Sequence, residues 1–190
     1  MRYIIGLLVS IGLLILVFVM IFRGGGDDSS TSPDAPRKLV DYANSTTVVR
    51  MIDDYPVNAN LAHRQVVTTV GRDETVFEVK AGYEGQNLRA QSYANNPTSY
   101  ATFLRSLQLA GYSQGKNDEN LQDERGFCPL GHRYIYEIRQ DNQLIQRYWN
   151  TSCSDGQGSF KGSTDVVRTL FQRQVPDYPR LSSGIEYAPR

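Results

Sequence analysis

The sequence predicts an α+β protein: an N-terminal transmembrane helix, then an antiparallel sheet with helices packed on one face. Three observations carry this. Residues 4–22, IIGLLVSIGLLILVFVMIF, run 19 positions without a charge. Beyond residue 45, short β-branched runs alternate with polar turns. Two further stretches place apolar residues at helical spacing behind a capping residue.

The apolar run comes first. At 1.5 Å rise per residue it reaches about 28 Å, close to the hydrocarbon thickness of a bilayer. It is longer than the apolar core of a cleaved signal peptide and ends Met20-Ile21-Phe22-Arg23, with only Gly24 and Gly26 to imitate a cleavage site. Residues 1–23 therefore read as an uncleaved single-pass anchor. Arg2 precedes the run and Arg23 follows it, so the charge flanks set the orientation only weakly. The short N-terminal side has no room for a domain, which places the N-terminus in the cytoplasm and the domain outside the cell membrane. Residues 24–36, GGGDDSSTSPDAP, cannot bury apolar surface and read as a flexible linker.

Residues 37–176 form the expected domain. A short helix spans 37–43, and TTVVRMI at 46–52 reads as a strand, with Asp53-Asp54-Tyr55-Pro56 as its breaker. RQVVTTV at 64–70 and TVFEVK at 75–80 flank a polar turn and make a hairpin, and 86–93 supplies a fourth strand. Asn96 caps a helix that begins at Pro97, carries Tyr100, Phe103, Leu104, Leu107 and Ala110 on one face, and stops at Gly111. Residues 113–125 are polar and read as a mobile loop. RYIYEIR at 133–139 and LIQRYWN at 144–150 flank Asp141-Asn142, a pair that tolerates the positive φ of a type I′ turn. That loop sets Tyr134 opposite Trp149 and Ile138 opposite Ile145. Ser163 or Thr164 caps a last helix with Val166, Val167, Leu170 and Phe171 inward, ending at Val175-Pro176, and residues 177–190 read as an extended tail.

Composition then limits the chemistry. The 190 residues carry 20 Lys+Arg and 20 Asp+Glu. Leaving out Arg2 and Arg23, 18 basic residues face 20 acidic ones, a net of −2, and the arginines form no stripe. Nothing here points to nucleic acid. Two cysteines exclude a four-cysteine zinc site. The hairpin register brings Cys153 within two residues of Cys128, so a disulfide is feasible, closing a loop of about 25 residues in an oxidising compartment. The competing metal reading would need Cys128, His132, Cys153 and His63, every Cys and His in the chain. No metal or cofactor is expected. There is no G-x-S-x-G elbow to serve His63 or His132, and residues 154–162 lack the G-K-[ST] order of a phosphate loop. Asp53-Asp54 reads as a solvated pair in a turn. Asn44-Ser45-Thr46 and Asn150-Thr151-Ser152 fit the glycosylation pattern.

The segments CPLGHRYIYEI, QRYWNTSC, GSFKG and LFQRQVPDY, with NNPTSYATFLRSLQLAGY upstream, resemble a family of single-pass proteins of a reduced-genome, host-attached bacterial lineage. The resemblance covers most of residues 36–178, and the Cys-to-Cys hairpin followed by R-Q-x-P-D-Y is its most specific part. It implies an anchored extracytoplasmic domain and supplies no catalytic residues. The expectation is a membrane-tethered, non-enzymatic envelope module for a protein or glycan partner, with Tyr134, Trp149 and His132 as the candidate binding residues. The alternatives are an envelope hydrolase built on His132 and an accessory subunit of a membrane complex.

Overall fold

The computed structural model describes residues 38–154 and 156–185, all within the unit Arg37–Arg190. The expected anchor at 4–22, the linker at 24–36 and residues 186–190 lie outside the described residues. Among the described residues no helix is long and apolar enough to cross a membrane.

Six strands form one antiparallel sheet: β1 (Val48–Asp54), β2 (Arg64–Val70), β3 (Glu74–Ala81), β4 (Gln86–Ala94), β5 (Arg133–Gln140) and β6 (Gln143–Thr151). Their order is β4-β3-β2-β1-β5-β6. The first four strands meander as expected, and the last hairpin returns to the far side of β1. A 3-10 turn (Leu39–Tyr42) precedes the sheet, and three helices follow in order: α1 (Pro97–Leu109), α2 (Thr164–Arg173) and α3 (Tyr178–Ser182).

The start and stop of α1 follow from its sequence. The Asn96 side chain accepts from the Ser99 amide at 2.9 Å, and Gly111 takes the positive φ of 79° that ends the helix. Its buried face, Tyr100, Phe103, Leu104 and Leu107, packs with Val167 and Phe171 of α2 on Val49, Met51, Val70, Tyr136 and Ile138. At roughly 1.5–3 kcal/mol per buried large apolar side chain, this layer supplies most of the driving force. In α2, Val166 turns outward at 49% exposure, while Val167 and Phe171 are buried. A second cluster sets Val175, Leu181 and Ile185 over Val66, Phe77 and Val79. On the sheet's other face the buried apolar cluster is small, Ile52, Val67, Ile135 and Trp149 beneath Leu121 and Phe127.

The β5–β6 hairpin departs from the expected register. Asp141 and Asn142 form its loop with φ of 49° and 67°, and next to it Arg139 faces Leu144 as expected. A bulge between Ile138 and Arg139 then shifts the pairing by one. Ile138 now faces Gln146, Tyr134 faces Asn150, and Trp149 faces Ile135. A one-residue slip moves every later side chain to the other face. Tyr134 therefore lies on the helix side and Trp149 on the opposite one, so the expected Tyr134–Trp149 and Ile138–Ile145 pairs do not form.

Three local expectations also change. Asp53 and Asp54 are not a solvated turn; they are the last two residues of β1 and both are buried. The polar stretch 113–125 is pinned: Trp149 Nε1 donates to the Leu121 carbonyl at 2.6 Å, and Arg147 meets Glu124 at 2.5 Å. Residues 177–185 are not extended, since α3 forms there and seals the second cluster with Leu181 and Ile185.

The two ends of the sheet differ, separated by about 20 Å along β1. One end receives the chain through residues 43–47, where the Thr46 hydroxyl donates to Asp141 at 2.7 Å across the β5–β6 turn. The other end gathers the connections 55–63, 82–85 and 126–132. The lateral edges differ as well. The edge of β6 is covered near its end by residues 158–160, whose Phe160 amide donates to the Trp149 carbonyl at 2.9 Å. At the β4 edge, every residue but Tyr93 is exposed.

Candidate functional site

The end remote from chain entry brings together residues that are scattered in sequence. Cys128 and Cys153 are joined there as a disulfide with a Cα–Cα distance of 5.9 Å. The bond closes the mouth of the β5–β6 hairpin. It is continued by reciprocal bonds between Ser152 and His132: the Ser152 amide donates to the His132 carbonyl at 2.9 Å, and the His132 amide to Ser152 Oγ at 2.8 Å. Gly131 makes room for this closure, because a Cβ there would stand 2.5 Å from Cys128 Sγ.

Consecutive strand residues point to opposite faces, and Asp53-Asp54 uses this to serve two histidines. On the helix face, Asp53 Oδ1 lies 2.6 Å from His132 Nδ1. The His132 ring packs against Tyr55 at 4.5 Å and stacks near Tyr134 at 5.9 Å. Arg168 from α2 lies over the Tyr134 ring, 4.7 Å from its centroid. Burial raises the pKa of the Tyr134 and Tyr178 phenols above the ordinary range, and the Asp53 charge adds to both shifts. A small cleft beside Asp53 is lined by Thr68, Arg168, Gln172 and Tyr178.

On the opposite face Asp54 is the centre of a buried polar network. Its Oδ1 accepts from His63 Nε2 at 2.8 Å and from Gln65 Nε2 at 2.9 Å, while Oδ2 meets the Arg133 guanidinium at 2.5 Å. The His63 ring stacks on Tyr83 at 4.3 Å. This network ties the first residues of β2 and β5 to the last residue of β1, and its partners occupy both carboxylate oxygens. Its chemistry is that of a structural clamp.

The connections above the clamp are apolar and poor in charge. Val57, Leu61, Tyr83, Leu88 and Leu130 sit at this end, five of the nine large hydrophobic residues exposed among the described residues. The loops that carry them are bonded to one another. The Val57 amide donates to the Pro129 carbonyl at 2.8 Å, and the Tyr83 hydroxyl to the Asn58 carbonyl at 2.9 Å. Across residues 55–63, 82–85 and 126–132, Glu84 is the single Lys, Arg, Asp or Glu.

Of the residues singled out from sequence, Tyr134 and His132 meet on the helix face, whereas Trp149 is fully buried on the other side. His63 and His132 do not meet each other; each takes a different aspartate. Among the described residues no group of three or more His, Cys, Asp or Glu is arranged to hold a metal. Asn44 is exposed, while Asn150 is half-buried and bonded to the Thr164 hydroxyl. Arg133, Gln65 and the exposed loop residues escape a sequence reading. Two adjacent aspartates at a strand end, in a chain with two histidines, were the available signal. No protein-family model, no curated protein and no solved structure matches this chain.

Proposed function

We propose that this chain is a membrane-tethered extracytoplasmic interaction module, non-enzymatic, which takes a protein partner through the end of the sheet remote from chain entry. The observation that carries the reading is the concentration of Val57, Leu61, Tyr83, Leu88 and Leu130 on that one end. Exposed apolar residues gathered in one place, and not scattered singly, mark an interaction surface. The charge-poor loops around them offer no cations for an acidic glycan, an anionic lipid or nucleic acid. Tyr83 is the one exposed aromatic among the described residues, and one face of its ring is taken by His63. A glycan would find a single ring face to stack on, so a protein surface with matching apolar groups is the better partner.

The apolar run at 4–22 supplies the tether, and the Cys128–Cys153 bond fits an oxidising compartment. An alkaline-phosphatase fusion after Pro36 should be active in cells, and an inactive fusion sinks the topology. For the binding end, photo-crosslinking residues placed at 61 and 130 should give one common adduct that Leu130→Asp, in the chain labelled at 61, abolishes. The same residue at 109, exposed on α1, should not. Equal labelling at 61, 130 and 109 overturns the reading.

A second reading, an envelope hydrolase, draws on the 2.6 Å contact between His132 and Asp53. Hydrolysis of an envelope peptide or glycan that is lost in His132→Ala, with the disulfide and the melting temperature retained, would favour it over the binding module.

A further inference from the structure

The two lateral edges of the sheet are treated differently. On β6, residues 158–160 cover the outer ladder over its last residues: the Trp149 amide donates to Ser159 Oγ at 3.1 Å, and the Phe160 amide returns a bond to the Trp149 carbonyl. Gly158 permits the approach, since a Cβ there would lie against the Trp149 carbonyl. On β4 nothing among the described residues pairs with the outer ladder. Sheet edges are ordinarily blunted by lysine, proline, short length or an inward charge. β4 has nine residues, no proline and no lysine. Its single charge, Arg89, turns its guanidinium to the Leu181 carbonyl. The one protective device is a bulge opposite Val79 and Lys80, which leaves residues 89–94 as a regular, unblocked ladder.

We propose that the occupant of this edge is a second copy of the chain, paired β4 to β4 in antiparallel fashion about Gln91. The residues select this register. Arg89, Gln91 and Tyr93 share the helix face, because their β3 partners Val79, Phe77 and Thr75 point there. An axis at Gln91 sets Arg89 of one copy, exposed while bonded to its own Leu181 carbonyl, opposite the half-buried Tyr93 of the other, a cation beside an aromatic ring, twice per dimer. Ala90 then meets Ser92 on the open face, small against small. An axis at Arg89 would instead oppose two guanidinium groups. About Gln91 no like charges meet, and both copies keep their helices on the same side of one continuous sheet. The pairing uses neither the apolar end nor the Asp53 cleft.

The test uses the full-length chain in detergent, with mass read by light scattering. The wild type should run as a dimer. Gln91→Lys and Gln91→Glu each place like charges on the axis and should each be monomeric, with unchanged melting of the monomer because Gln91 is exposed. Mixing the two should restore a dimer. A Gln91→Cys chain should give an oxidised covalent dimer at least tenfold above Gln86→Cys, whose two copies lie far from the axis. A monomeric wild type, a Gln91→Lys chain that stays dimeric, or equal crosslinking at 86 and 91 overturns the proposal.

Discussion

Asp53 and Asp54 are neighbours in the chain with opposite surroundings, and substitutions should separate them. Removing Asp54 leaves Arg133 and His63 buried without their carboxylate, the situation in which breaking a buried pair costs about 3–5 kcal/mol. Asp54→Ala should therefore lower the urea midpoint far more than Asp53→Ala, whose partner His132 keeps part of its side chain in solvent. Thr151 makes the opposite case: its hydroxyl is buried with no hydrogen-bond partner among the described residues, so Thr151→Val should be neutral or stabilising by up to about 1 kcal/mol. The tyrosines set a pH dependence. Burial raises the pKa of Tyr100, Tyr112, Tyr134, Tyr136 and Tyr178 above the usual phenol range. Above about pH 10 the unfolded chain releases phenolic protons that the folded chain retains, so stability falls as pH rises, whereas these groups add no slope below that pH. Urea midpoints measured from pH 9 upward should show the fall, and Tyr112→Phe should make it shallower.

At the scale of elements, the β5–β6 hairpin depends on its turn. Asn142 holds a φ of 67°, where a β-branched residue is strained, so Asn142→Val should cost roughly 1–2 kcal/mol while Asn142→Gly is tolerated. Urea denaturation distinguishes the two. The elements legible in sequence were those whose signals are local. Asn96, Pro97 and Gly111 delimit α1 without reference to anything distant, and the 64–80 hairpin follows from its alternation. The bulge at Ile138/Arg139 has no local signature: nothing in RYIYEIRQ or QLIQRYWNT marks where the pairing shifts by one. The disulfide was readable despite that error, since a slip of one residue still left Cys153 near Cys128. Asp53-Asp54 was misread for the complementary reason. Its partners His63, His132 and Arg133 come from two other strands' beginnings, which a linear reading does not bring together. The apolar end was invisible for the same cause, as exposure of Leu61 or Leu130 is a property of the packed loops.

For the whole molecule, β1 is the axis of the fold: it pairs with β2 on one side and β5 on the other, and its last two residues hold both polar clusters. The bond between Cys128 and Cys153 secures the later half of that arrangement. Replacing both by serine should cost about 3 kcal/mol by the chain entropy of the 25-residue separation, read as a lowered urea midpoint. The position of β1 also sets a timetable. Asp53 and His132 stand 79 residues apart, so β1 is made early and its second neighbour late. If the chain crosses a membrane N-terminal side first, as the proposed topology requires, the central strand emerges with one flank open and must wait for the last hairpin. During that interval its unpaired N–H and C=O groups leave the nascent chain an open edge for wrong pairing. Oxidation of the two cysteines, both in the late segment, is then a timestamp: it marks the molecules in which the last hairpin has crossed.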